Sequence, residues 1–365
     1  MSVESKRKAW WRQLIVPIIA VVLGLLIGAI FMLFTGANPL DAYGALLSGC
    51  FGSAVNLSET VVYITPLICT GLSIAVAFRA GLFNIGAEGQ MIVGMLASAI
   101  IGYKLAGLPR IIHLPLTIFF GMLAGALWAA VPGYLKAKFG VHEVVNSIMM
   151  NYIALYLSHY LVNGPIKDPN FASPYSPEIA DSAKLWRFVG GHGSEFRVNS
   201  GILIAIAAAI LIYRLLYKTT RGYEIRAVGL NAEAARYAGI DVPSAMARSM
   251  LIAGSMAGLA GAIQVCGIQY KFLDLFAFEG FGFDGIAVAL LAQGNPYGIL
   301  AAASLFGVLN RGSQMMQLLA RVPKETAGII QASVVFLVAA EGIVEGWLPV
   351  RRTASLEASG KEETQ

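Results

Sequence analysis

Two uncharged apolar windows, Leu14–Phe34 and Val61–Phe78, set the first constraint on this chain. Each reaches the roughly 17–25 residues that a helix needs to cross the hydrocarbon of a bilayer. The composition agrees: 57% of the 365 residues are hydrophobic and 13% are charged, about half the charged share of a soluble domain. A water-soluble globule of this composition could not cover its surface with polar groups. The chain therefore reads as an all-α polytopic membrane protein.

About ten hydrophobic segments follow one another, several of them short or broken. The first group is Leu14–Phe34, Thr60–Phe78, Ala87–Tyr103, Leu114–Leu135 and Val144–Val162. The second is Gly201–Tyr217, Ser244–Ile268, Phe281–Gln293, Tyr297–Asn310 and Thr326–Trp347. Lys6, Arg7 and Lys8 give the first segment a signal-peptide start. Its apolar run is too long for one and no clean small-residue cleavage site follows, so it reads as a retained helix. Ten crossings from a cytoplasmic N-terminus put the C-terminus in the cytoplasm too. Arg79, Lys136, Lys138, Lys218, Arg221, Arg226, Arg236, Arg351 and Arg352 then fall on the inner side, as the positive-inside rule requires. Arg311, Arg321 and Lys324 fall on the other side and disagree. The expected organisation is one transmembrane domain, 1–350, and a disordered cytoplasmic tail, 351–365. The net charge of +5 is accounted for by inner loops and asks for no nucleic acid. Cys50, Cys69 and Cys266 are isolated, without metal or redox spacing.

Two connections are long. The first, 163–199, carries Pro165, Pro169, Pro174 and Pro177 and reads as an irregular outer loop. The second, 218–243, is an inner loop around "NAEAARYAGIDVP". Asn231 is an N-cap candidate, and Glu233 sits where the helix dipole favours a carboxylate. Gly239 suits a C-terminal stop and Pro243 blocks continuation. The segment predicts a helix of about two turns, too short to be stable unless it packs on something.

Several motif matches lose their function on inspection. "GFGFDG", Gly280–Gly285, fits GxGxxG but lacks the strand, the soluble βαβ unit and the following acid of a dinucleotide site. Its glycines read better as helix breakers. "HEVVN", His142–Asn146, lacks the second histidine of a zinc site, and no metal is expected. "NLS" at Asn56 is a sequon by pattern alone. No GxxxxGK[ST] stretch occurs, so ATP is not expected to bind this chain through a P-loop.

Polar groups inside apolar spans carry more weight, because burying them unpaired costs several kcal/mol. Glu143, Asn146, Ser147, Met150 and Asn151 form one stripe at helical spacing. That stripe suits helix–helix hydrogen bonding or a wetted pathway. Gly24/Gly28, Gly121/Gly125 and Gly254/Gly258 are small-xxx-small pairs suited to close helix packing. In "NIGAEGQ", Asn84 and Glu88 share a face if helical, although Gly81, Gly86 and Gly89 weaken that helix. "FEGFGFDGIAVALLAQGNPYG", Phe278–Gly298, interrupts the second half in the matching place. Paired broken segments point to two inverted-repeat halves with a substrate site at their interface. Phe83, Asn84, Glu88, Gln90, Asn146, Asn151 and Asp284 are the expected pathway residues. They offer amides and carboxylates where freed backbone groups line a cavity.

Together, "FRAGLFNIGAEGQM", "HEVVNSIMMNYIALYL", "GYEIRAVGLNAEAARYAGI" and "GFDGIAVALLAQGNPYG" resemble the permease subunits of ABC importers. The resemblance is to the group that moves ribose-like sugars and branched-chain amino acids, and covers about Leu14–Trp347. It is nearest the branch that imports nucleosides with a basic-membrane-protein-type lipoprotein receptor. It implies a second, related permease, an ATPase with two nucleotide-binding domains that holds ATP and Mg, and an external binding lipoprotein, in the cell membrane. This chain would be no enzyme and hold no cofactor. The resemblance makes 231–239 a coupling helix that docks into the ATPase through Asn231, Glu233, Ala235, Arg236, Tyr237 and Gly239. Its implied cargo is a nucleoside. A simple sugar such as ribose is the alternative, and a stand-alone secondary transporter coupled through Glu88, Glu143 and Asp284 is the rival from another class.

Overall fold

The structure, a computed structural model, describes residues 3–190, 194–323 and 325–339. The expected tail 351–365, the end of the domain at 350 and the last part of the segment Thr326–Trp347 lie outside the described residues. Thirteen α-helices occur among the described residues. In order they are α1 (Val3–Phe34), α2 (Pro39–Phe51), α3 (Ala54–Arg79), α4 (Ala87–Lys104), α5 (Arg110–Phe139), α6 (Glu143–Asn163) and α7 (Gly201–Lys218). They continue with α8 (Thr220–Leu230), α9 (Ala232–Tyr237), α10 (Val242–Gln264), α11 (Phe281–Leu291), α12 (Pro296–Ala320) and α13 (Glu325–Ala339). Four stretches are long and apolar enough to cross a membrane: Ala54–Arg79, Arg110–Phe139, Gly201–Lys218 and Val242–Gln269. Shorter apolar helices accompany them, and the molecule is an integral membrane protein.

Caps explain many of the boundaries. Asn38 accepts from the Leu40 amide (3.1 Å) and Pro39 opens α2. Ser53 caps α3 through the Asn56 amide (3.1 Å). Asn295 caps α12, with Pro296 in its first position. Gly140, at φ +68°, closes α5 in the left-handed region that favours glycine. Pro243, expected as a stop signal, instead lies in the first turn of α10, where its missing N–H costs nothing.

Four elements depart from the sequence expectation. Helix α2 was not anticipated, nor was α8 within the inner loop. The segment Phe281–Gln293 is helical only to Leu291. At 1.5 Å per residue its 11 residues reach about 16 Å, half the hydrocarbon thickness. Helix α12 runs ten residues past Asn310, to Ala320, carrying Arg311 within it.

Helices α3 and α10 form the centre and touch each other. Helix α3 packs on α11 and α12, and α10 packs on α4 and α5, so each central helix holds the broken segment of the other half. The glycine pairs make the second contact possible. A Cβ on Gly125 would collide with the backbone of Gly254 and Gly258, and one on Gly258 with the Gly121 carbonyl. Gly24 and Gly28 lie against Val334 and Ile330 of α13 in the same way.

The long connection between α6 and α7 is laced to the helices. Ile179 N–H donates to the Tyr270 carbonyl (2.8 Å), Ala180 N–H to Gly102 (2.9 Å) and Leu185 N–H to Cys266 (2.8 Å). Further along, Arg197 forms a bidentate ion pair with Glu59 of α3. The Val198 amide donates to the Ser58 hydroxyl at 2.9 Å.

Candidate functional site

The interruption between α3 and α4 is a buried polar knot. Gly81, at φ +73°, turns the chain, and residues 82–86 lead into α4. Asn84 and Gln90 clasp each other: Asn84 Nδ2 donates to Gln90 Oε1 (3.0 Å) and Gln90 Nε2 to Asn84 Oδ1 (2.9 Å). Asn84 also accepts from the Gly86 amide (3.1 Å) and donates to Ser73 Oγ (3.2 Å). From α6, Asn151 Oδ1 accepts from the Gly89 amide (2.8 Å) and Nδ2 donates to the Ile85 carbonyl (2.9 Å). Through the Gly86 and Gly89 amides these side chains satisfy N–H donors that the start of a helix leaves open.

Glu88 joins the two broken segments. Its Oε1 accepts from the Gly280 amide (2.8 Å) and its Oε2 from the Gly282 amide (2.6 Å), both at the start of α11. The carboxylate also lies in the first turn of its own helix, so it stands between the positive ends of α4 and α11. Glycines permit the approach. Gly280 sits at φ +91°, and a Cβ on Gly282 or Gly285 would collide with Glu88 or Thr70. The GxGxxG stretch thus performs the anion-holding task of a helix N-terminus toward a carboxylate of its own chain. At the other end of α11, Arg79 donates to the Gln293 (3.1 Å) and Gly294 (3.3 Å) carbonyls.

The structure gathers Asn84, Glu88, Gln90 and Asn151, each at most 1% exposed. It does not place Asn84 and Glu88 on one helical face, because Asn84 precedes α4. The stripe on α6 is real, with Ser147, Met150 and Asn151 buried, and Glu143 paired with Lys136 (2.9 Å). Phe83 is half-buried against Phe78. Asn146 is half-buried, and its Nδ2 is buried without a hydrogen-bond partner among the described residues. Asp284 stands apart from the knot: it accepts from Asn310 Nδ2 (2.7 Å), whose Oδ1 accepts from Gln331 (2.8 Å).

A cavity of about 330 Å³ opens beside the start of α11. Val62, Tyr63, Gln264, Ile268, Phe281 and Gln314 line it together with Arg197 and Glu279. Gln314 Nε2 donates to the Tyr63 hydroxyl (2.7 Å), and Gln269 Nε2 to Glu279 Oε1 (2.9 Å). The rings of Tyr63 and Phe281 lie 6.1 Å apart. The wall thus combines amides, one carboxylate, one guanidinium and two aromatic rings. None of these residues is among the expected pathway residues, although Glu279 and Phe281 lie within the interrupted stretch Phe278–Gly298, and they come from five separate segments. Gln264 and Gln314, polar within apolar helices, were the available signal.

In the segment 218–243, Asn231 caps α9 through the Ala234 amide (3.0 Å) and Gly239 follows at φ +84°. Glu233 and Arg236 pair on the surface (2.9 Å). Tyr237 is 98% exposed and Leu230 89%. Ala235 departs from the expected docking set. It is 4% exposed and packs inward with Val228, Val242 and Ala245, because the two-turn helix needs one apolar face against its own chain.

Membrane-spanning helices, two broken segments meeting at their N-termini and a polar cavity beside the junction fit a membrane permease. The chain belongs to the family described as branched-chain amino acid transport system / permease component, whose model matches residues 56–339. It is accordingly a transport subunit and not an enzyme. Among its relatives is the guanosine ABC transporter permease protein NupP of Bacillus subtilis, 43% identical over 90% of this chain and 93% of that protein. The nucleoside ABC transporter permease protein NupB of Lactococcus lactis is 36% identical over 96% of this chain and 97% of its own length. The glucose ABC transporter permease protein TsgB13 of Haloferax volcanii is 34% identical over 91% and 88%, respectively. A second guanosine ABC transporter permease protein of Bacillus subtilis, NupQ, is 29% identical over 70% of this chain and 80% of its own.

Proposed function

We propose that this chain forms the translocation pathway for nucleosides in an ATP-driven importer. The cavity beside α11 carries the reading. Its volume of about 330 Å³ falls at the small end of the roughly 300–1,000 Å³ of ligand pockets. Tyr63 and Phe281 offer ring faces to a base, while Gln264, Glu279 and the exposed Gln314, with the capacity its amide keeps beyond the bonds to Tyr63 and Arg311, offer partners to its edge and to a ribose. The names of NupP and NupB support the same cargo. Phe83, Asn146 and Asp284 extend the path. Asn84, Glu88, Gln90 and Asn151 fix its shape from within, since their hydrogen bonds are spent inside the chain.

In this reading the two halves are an inverted repeat of about ten crossings, supported by the reciprocal packing of α3 on α11 and of α10 on α4. The end that carries Arg79, Lys136 and α8–α9 faces the cytoplasm, as do both termini. The exposed side of α9, with Glu233, Arg236 and Tyr237, docks into an ATPase that holds ATP and Mg. A second permease of the NupQ kind completes the membrane part, and an external lipoprotein delivers cargo. The glucose relative TsgB13 favours a sugar as the second reading. Uptake of labelled guanosine, adenosine, ribose and glucose by the complete importer in proteoliposomes decides between them. Nucleoside uptake should fall several-fold to about tenfold in Gln264→Ala and Gln314→Ala, the effect of one neutral hydrogen bond, with assembly unchanged. Sugar uptake without nucleoside uptake would replace this reading with the second.

A further inference from the structure

Helices α7, α8 and α10 frame a second pocket, of about 840 Å³ and open to the surface, that shares no lining residue with the first. Its walls are apolar, formed chiefly by Leu211, Leu215, Ile252 and Met256. Three arginines line the same pocket: Arg214 at the end of α7, Arg221 at the start of α8 and Arg248 of α10. Arg248 is engaged, through Glu224 (2.9 Å) and the Ser244 carbonyl (3.1 Å). Arg214 and Arg221 are exposed and have no ion pair or hydrogen bond among the described residues. The pocket therefore joins an apolar slot to two uncompensated guanidinium groups beside the α7–α8 turn, at the membrane end that carries α9.

We propose that an anionic phospholipid occupies this pocket, with its acyl chain in the slot and its phosphate held by Arg214 and Arg221. An acyl chain is the occupant that an apolar slot in a membrane protein meets without desolvation cost, and guanidinium groups match phosphate oxygens in geometry as well as charge. Basic pockets between membrane helices bind such headgroups. A helix of the second permease fits less well, because burying two unpaired arginines under an apolar face costs several kcal/mol per charge. The site also has a consequence for coupling. Arg221 lies on α8, which leads through Asn231 into α9, so a bound headgroup would tie the base of the exposed α9 to the membrane surface.

The test uses the complete importer in nanodiscs of phosphatidylcholine containing increasing phosphatidylglycerol, with native mass spectrometry counting the lipids retained. The wild-type complex should retain phosphatidylglycerol in preference to phosphatidylcholine. With about 1 kcal/mol for each basic side chain near the headgroups, Arg214→Ala or Arg221→Ala should weaken retention about fivefold, and the pair about thirtyfold. Arg214→Lys with Arg221→Lys should restore most of it. Ser255→Trp, which fills the slot and leaves both charges, should also expel the lipid, and it serves if the arginine variants fail to assemble. Retention that is equal in wild type and variants overturns the proposal. A photocrosslinker at Leu251 that captures the second permease in place of lipid does so as well. Lipid retention is read without cargo, so this result is independent of the nucleoside reading.

Discussion

Replacing Glu88 by glutamine keeps the shape of the side chain and removes half of its accepting capacity. Both oxygens accept a backbone N–H, from Gly280 at 2.8 Å and Gly282 at 2.6 Å, which is the arrangement of an ionised carboxylate. A hydrogen bond to a charged group contributes about 1.5–3 kcal/mol. The amide of glutamine can accept one of the two bonds, while its NH₂ meets the other N–H, donor against donor. The loss is therefore at least one charge-assisted bond, and the favourable charge at two helix N-termini goes with it. We expect the start of α11 to become about 2–4 kcal/mol easier to open locally. Hydrogen exchange reports local opening directly, and every 1.4 kcal/mol is a factor of ten. Amide exchange over 280–284 in the assembled complex should accelerate about thirty- to several-hundredfold, while the crossing of Gly121 and Gly125 with Gly254 and Gly258 keeps its protection. Exchange unchanged over 280–284 would show that α11 is held by Thr70 and its apolar packing alone, and the account of Glu88 as the joint between the segments would fall.

Other perturbations separate the remaining assignments. Tyr237→Ala should lower copurification of the ATPase subunit with no change in permease stability, whereas Ala235→Trp should overpack the small α8–α9–α10 core by about 1–3 kcal/mol; equal stability of the two variants would refute the inward placement of Ala235. Gly258→Leu should abolish accumulation of folded protein, because its neighbours are the backbones of Gly94, Gly121 and Gly125, while Gly107→Ala, with nothing within 4 Å, should be neutral by expression and melting temperature. Arg197→Ala should loosen the loop 163–199 by about 1–3 kcal/mol, since it leaves the buried Glu59 carboxylate without its partner; limited proteolysis within 194–199 should quicken at least about fivefold, and a rate equal to wild type would count against the Glu59–Arg197 pair as the tie. Burial opposes the charge on Lys184, but its bonds to Asp181 and Glu178 outweigh that and raise its pKa above the ordinary lysine value. Its contribution is therefore complete below about pH 10.4 and lost as pH rises through the higher folded value, which exchange of the 181–185 amides across pH 7–9 should confirm by showing constant local stability.

The apolar windows, the α9 cap at Asn231, the Gly239 stop and the glycine crossings were legible because each depends on local spacing. The positions of the two interruptions were legible for the same reason. What could not be read was who pairs with whom. Glu88 and Asp284 look alike as acids near glycines, yet one bridges two helix starts and the other is held by Asn310. Asn84 and Asn151 look like ligands for a polar cargo, and in the fold their amides are consumed by Gln90 and by the backbone around Gly89. Helix α2 escaped notice because Asp41, Gly44, Ser48 and Gly49 break its apolar run, and it is anchored by packing on α12. The cavity was invisible because its polar residues are single in their own segments and converge only when α3, α10, the start of α11, α12 and the loop 163–199 are assembled.

The joint at Glu88 also imposes an order of events on biosynthesis. Its two amide partners lie 192 and 194 residues further along the chain. At about 5–20 residues per second, roughly 10–40 s separate the appearance of the carboxylate from that of the amides. For that interval the first half holds an acid destined for the membrane interior with no bond of its own. Until α11 arrives, the Ala87 end of α4 must stay in contact with water or carry a proton. The final closure of the knot is then the step that commits both halves to the bilayer together, so a chain truncated before Gly280 should be cleared by quality control even though its first helices are complete.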